Sequence, residues 1–166
     1  TLANITGTNW VFNPASTYDL TSTFDSNSNK IVFAYRDNGN SNSGTAVVGS
    51  LASNGDFSFG SEVVFDSSNS QWISATFDSN SNKIVIAYKD GGNSNYGTAI
   101  VGTVSGTSIS FGSAVVFKSS STQYTSASFD SLNNKVVVAY VNAGSSDAGE
   151  AVVGTVSGTS ISFGSS

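Results

Sequence analysis

Apolar and polar residues alternate along most of this chain, and short runs of Asn, Asp, Ser and Gly interrupt the alternation at regular intervals. Successive side chains of an extended strand point to opposite faces, so a period of two predicts β-strands. No stretch carries a 3.6-residue period, and no helix is expected. In the middle third of the chain the pattern predicts four strands: A over about 72–77, B over about 83–88, C over about 98–104 and D over about 108–117. The intervening segments "DSNSN", "DGGNSNYG" and "SGT" are built from turn formers, as are "DSSNSQ" and "KSSSTQ", which join D to the next A. Strand B is apolar at both parities, with Ile84, Ile86 and Tyr88 on one side and Val85 and Ala87 on the other. Such a strand is expected to be buried on both faces. Strand D sets Ile109, Phe111, Val115 and Phe117 against Ser108, Ser110, Gly112 and Ala114, the mark of a half-exposed outer strand.

The four-strand pattern recurs. "FDSNSNKIV" starts at Phe24 and Phe77, and "FDSLNNKVV" at Phe129, giving spacings of 53 and 52 residues. Gly-x-Ala-x-Val-Gly starts at Gly44, Gly97 and Gly149 with the same two spacings. The one-residue difference falls at a hairpin tip, where Asn54-Gly55 replaces Ser105-Gly106. "GTVSGTSISFGS" occurs letter for letter at 102–113 and at 154–165. Small residues at Ala34, Ala87 and Ala139, and at Gly49, Gly102 and Gly154, would let neighbouring sheets approach closely.

An antiparallel four-stranded unit of about 50 residues, apolar on both faces inside and amphipathic at its outer edge, reads as a β-propeller blade. The expected fold is all-β, one domain over 1–166, with three blades at about 18–65, 71–117 and 124–165. The stretch "ISATFDSNSNKIVIAYKD" is similar to blades of sialidase-like propellers. The chain as a whole resembles highly repetitive, uncharacterised propellers of phage and marine bacteria. The Trp-Asp and Gly-His signatures of WD40 repeats are absent, and the kelch-like Gly91-Gly92 stands in one copy only.

Propellers have about four to eight blades, so three cannot close a ring. The expectation is a homodimer: two copies forming six blades about a two-fold axis. The last copy of the repeat holds the first half of a strand D, with Ile161 and Phe163 on its core face. The matching second half is "TNWVF", with Trp10, Val11 and Phe12 at the positions of Val115, Val116 and Phe117. The outer strand of the third blade is therefore expected to be completed by residues 6–12, supplied by a partner chain, the usual latch of a propeller. Residue 1 is not Met, which suggests a processed chain or a natural or engineered piece of a longer repetitive protein.

Composition narrows the chemistry. The chain has no His and no Cys, so a Ser-His-Asp triad, a thiol nucleophile, a disulfide framework and a His-rich metal site are excluded. A net charge of −5 argues against nucleic acid and anionic membranes as partners. The acids sit mostly at matched positions, Asp25, Asp78 and Asp130, then Asp37 and Asp90, which suits structure better than one asymmetric active site. A sialidase needs an arginine cluster, and this chain has Arg36 alone. "DSNSNK" resembles the opening of a calcium loop, but lacks the following Gly and the distal Glu, and has Leu132 at a ligand position in the third copy. It reads as a polar turn with flanking Asp–Lys surface pairs, and no metal or cofactor is expected.

The candidate binding surface lies where the D–A and B–C connections emerge together, over 36–43, 89–96 and 141–148. There Trp72, Tyr124, Tyr96, Asn93, Asn95 and Asp90 combine aromatic rings with amides and a carboxylate, the chemistry by which many lectins hold a sugar. The favoured reading packs Trp72 and Tyr124 between blades, because aromatics at strand starts are more often packing residues. The functional expectation is a non-enzymatic structural module that self-associates. The alternative is a carbohydrate- or receptor-binding propeller, secreted or virion-associated. Asn4-Ile5-Thr6 fits a glycosylation sequon.

Overall fold

The computed structural model describes residues 9–164, so Asn4-Ile5-Thr6 and residues 6–8 of the expected closing segment lie outside the described residues. The described chain is all-β, with two antiparallel sheets and a single 3₁₀ turn at Asn38–Asn40. The strands are β1 (Thr17–Asp25), β2 (Lys30–Asp37), β3 (Ser43–Leu51), β4 (Phe57–Phe59), β5 (Val63–Asp66), β6 (Ser70–Asp78), β7 (Lys83–Asp90), β8 (Tyr96–Ser105), β9 (Ser108–Phe111), β10 (Val115–Asp130), β11 (Lys135–Asn142), β12 (Ala148–Ser157) and β13 (Ser160–Phe163).

Their pairings repeat. β1-β2-β3 is an antiparallel meander whose outer position is shared by β4 and β5. β6-β7-β8 follows the same order, with β9 and the first part of β10 outside it. The second part of β10 then starts a third meander with β11, β12 and β13. The expected strand D is thus broken: β9 ends at Phe111 and β10 begins at Val115. The break lies at Gly112, over which the backbone of Thr159 sits so closely that a side chain would collide with it. Thr107 crosses Gly60 in the same way.

The three meanders stack face to face. Val32, Ala34, Ala46 and Val48 of the first meet Ile84, Ile86, Tyr88, Ile100 and Ile109 of the second. The opposite face of the second, Val85, Ala87, Ala99 and Val101, meets Val136, Val138, Tyr140, Val152 and Ile161 of the third. β7 therefore lies between two cores, and Ile84–Tyr88 are buried at both parities, as the unbroken apolar run requires. One side of each contact is Val and Ala, and the other adds the larger Ile and Tyr side chains.

Polar bonds fix the stagger of the stack. Thr21 Oγ1 accepts from the Ala75 amide at 3.4 Å, and Ser74 Oγ accepts from the Ala127 amide at 2.9 Å. Thr125 donates its hydroxyl to the Trp72 carbonyl. β1, β6 and the second part of β10 are thereby aligned side by side.

Ile86→Ala empties a site enclosed by two meanders and is expected to cost about 2–5 kcal/mol in denaturant unfolding. Leu132→Ala, at an exposed turn, should stay within about 0.5 kcal/mol.

Candidate functional site

The β5–β6 and β7–β8 connections do emerge on one side. The Gly91 amide donates to the Asn69 carbonyl at 3.0 Å, and Ser68 Oγ donates to Asp90 Oδ1 at 2.9 Å. Asp90 also accepts from the Gly92 and Asn93 amides at 2.9 and 3.1 Å, so its carboxylate is committed to holding its own turn. The Asn95 carbonyl accepts from the Thr122 amide at 3.1 Å and ties this loop to the third meander. The side chains of Asn93 and Asn95 are exposed, and Tyr96 is half-buried.

Trp72 and Tyr124 come together, with ring centroids 4.2 Å apart. They join neighbouring meanders, and Tyr124 remains 60% exposed. Both residues have left-handed backbone, φ 54° and 51°, as does their counterpart Asp19 at φ 49°. Each lies where the pairing of the first strand to the second slips: between Tyr18 and Thr21, Gln71 and Ser74, and Gln123 and Ser126. A bulge with positive φ is uncommon for bulky side chains and stores strain of about 1–3 kcal/mol. Asp19 lies 3.1 Å from Arg36 Nε, and the Arg36 guanidinium lies 4.9 Å from the Tyr18 ring centroid. Nothing in the alternation announces these bulges, because Trp and Tyr are not residues that favour such backbone.

The Asp–Lys turns differ from expectation. Asp25 accepts from the Asn27 and Ser28 amides and from Ser28 Oγ, and Asp78 accepts from the Asn80 and Ser81 amides. Asp130 accepts from the Leu132 and Asn133 amides and from Asn133 Nδ2, which hold its carboxyl below the usual range. The lysines opposite turn elsewhere: Lys30 donates to Ser50 Oγ and Lys135 to Thr155 Oγ1. The expected Asp–Lys surface pairs are corrected to these contacts, because the turn amides already claim the carboxylates.

Of the residues expected to close an assembly, Trp10 and Phe12 lie at the outer face of the first meander, whereas Ile161 and Phe163 lie on the inner face of the third. Phe12 rests on the first meander of its own chain, with centroids 5.2 Å from Tyr35 and 5.7 Å from Phe59. Phe65 stands 5.2 and 5.7 Å from Tyr88 and Phe111, and Phe117 stands 5.2 and 5.6 Å from Tyr140 and Phe163. Trp10 contacts Phe57. Asn13 Nδ2 donates to Asp37, and the Asn38 amide donates to the Ser16 carbonyl, just as Gly91 donates to Asn69 and Ala143 to Ser121. Residues 10–16 thus occupy the place that 63–69 and 115–121 take on the next meander. Ile161 is buried and Phe163 half-buried, both against the second meander.

At the other end, Glu150 of β12 accepts from Lys118 Nζ, Asn142 Nδ2 and Tyr140 Oη, at 2.7, 2.7 and 2.8 Å. These donors hold its carboxyl down at about 2, with Lys118 the largest influence. Burial and the Glu150 charge push the Tyr140 hydroxyl up to about 12.

A carboxyl whose folded pKa is depressed stabilises the fold above its ordinary value, here 4.5, and that stability is lost as pH falls toward 2. Glu150→Gln should therefore lower stability at pH 7 and flatten its fall between pH 4.5 and 2, read by denaturant titration at both ends of that range.

No family model matches this chain, and no curated protein or solved structure matches it.

Proposed function

We propose that this chain is a non-enzymatic assembly module, in which the three meanders are blades of a β-propeller and two copies join into a closed six-bladed ring. One observation carries the reading. Val85, Ala87, Ala99 and Val101 of the second meander are wholly buried, whereas their counterparts in the third, Val137, Ala139, Ala151 and Val153, face solvent or are half-exposed. The opposite end presents Phe33, Phe57 and Phe59, half-buried, at the positions of Ile86, Ile109 and Phe111. The two ends are the two sides of the contact already made twice within the chain. Contiguous apolar surface of this kind favours association at roughly 25 cal/mol per Å² buried. A head-to-tail contact gives a ring where the rotation closes, and two copies of three blades fall within the known range of about four to eight. The carboxylates support a structural role, since those of Asp25, Asp66, Asp78 and Asp90 bond to turn amides and hydroxyls.

A second reading is supported by Tyr124. An exposed ring held beside Trp72 by left-handed backbone is a surface on which a sugar could stack. In that reading the module is a glycan- or receptor-binding propeller.

Light scattering on a sizing column is expected to give twice the chain mass of 17.0 kDa. Val153→Asp, placing a charge on the open face, should return it to a single chain mass, and a native monomer would refute the ring. For the second reading, a glycan array should show binding that Tyr124→Ala abolishes.

A further inference from the structure

We infer that the copies are joined by a shared strand as well as by apolar faces: Trp10–Asn13 of one copy pairs with the free edge of β12 in another. This rests on the self-association proposed above and fixes its register.

The two internal contacts supply the template. In β3, Gly44, Thr45 and Ala46 pair with Asp66, Val64 and Val63. In β8, Gly97, Thr98 and Ala99 pair with Lys118, Val116 and Val115. The same stretch of β12 is Gly149, Glu150 and Ala151, and among the described residues it has no strand on that side, since β13 pairs only over Gly154–Ser157. Trp10, Val11 and Asn13 stand at the positions of Val63, Val64 and Asp66, already seated on the first meander through Phe12, Asn13 and Ser16. They too have no strand partner among the described residues, and Val11 is 72% exposed where Val64 and Val116 are 42% and 36%. The predicted register is Asn13 opposite Gly149, Val11 opposite Glu150 and Trp10 opposite Ala151.

Gly149 gives independent support. A Cβ at Gly44 would strike the Phe65 ring, and one at Gly97 the Phe117 ring, so these glycines exist to receive an aromatic ring. At Gly149 nothing among the described residues lies within 4 Å. The ring that would lie there is Phe12 of another copy. Gly164, counterpart of the covered Gly60 and Gly112, is equally open. Along the first strands, the exposed Ser126 continues the acceptor series of Thr21 and Ser74, and the exposed Ser22 continues the donor series of Ala75 and Ala127. The geometry sets Ser126 of one copy against Ser22 of the next.

The test uses the full chain. Gly149→Val meets open space within one copy, so its circular dichroism should remain that of the native β fold. Its mass by light scattering should fall from twice to once 17.0 kDa at concentrations where the native chain is associated. The chain has no Cys, so the double variant Trp10→Cys, Ala151→Cys reports pairing without background. Under mild oxidation it should run as a covalent dimer on a non-reducing gel. A Gly149→Val chain that associates like the native one, or a double variant that stays uncrosslinked or links within one chain, overturns the strand exchange. Either result with an associating native chain leaves the face-to-face reading standing. A native chain that is monomeric removes both.

Discussion

The contact on which this structure depends is a phenylalanine ring lying over a bare Cα. Phe65 covers Gly44 and Phe117 covers Gly97, and each ring then reaches the Tyr of the next meander, Tyr88 or Tyr140. The glycine sets the depth at which the ring sits, and the ring sets the distance between sheets. Aromatic pairs at about 5 Å add roughly 0.5–1.5 kcal/mol beyond their burial. The same ring is the last apolar side chain of an outer strand, so completing that strand and packing the next meander are one event.

This coupling explains the asymmetry of the ends. A meander supplies small residues from one face and large ones from the other, and neither face is satisfied alone. Within the chain the middle meander has both faces covered, and Ile84–Tyr88 of its β7 are buried without a break. The first meander has its large face partly covered by Trp10 and Phe12 of its own chain. Among the described residues the third has its small face bare, with Ala139, Ala151 and Val153 exposed. Repetition thus produces complementary ends, and complementary ends favour head-to-tail assembly.

The polar residues divide between turn-making and stitching. Asp25, Asp78 and Asp130 hold hairpins, while Thr21, Ser74 and Thr125 bond across meanders. Half of the ligand candidates of the loop side are drawn into the same work: Asp90 caps its turn, the Asn95 backbone carbonyl ties its loop to the next meander, and Trp72 packs against Tyr124. Tyr124 keeps an open ring. Its exposure follows from the bulge that turns the backbone there, a feature of pairing register that a strand alternation does not encode.

The sequence by itself determined the strands, their antiparallel order and the double burial of the second strand, because alternation and turn chemistry act within a few residues. Repeat spacing also made the equivalence of Phe12, Phe65 and Phe117 legible, since identical positions in identical units meet identical surroundings. Only the tertiary structure decided the break of strand D at Gly112, the left-handed backbone at Asp19, Trp72 and Tyr124, and the turning of Lys30 and Lys135 away from the facing carboxylates. It also decided which glycines receive a ring, and showed Gly149 without one among the described residues. These features depend on what a neighbouring sheet places against a residue, and that neighbour lies some fifty residues away along the chain, beyond the reach of any local pattern.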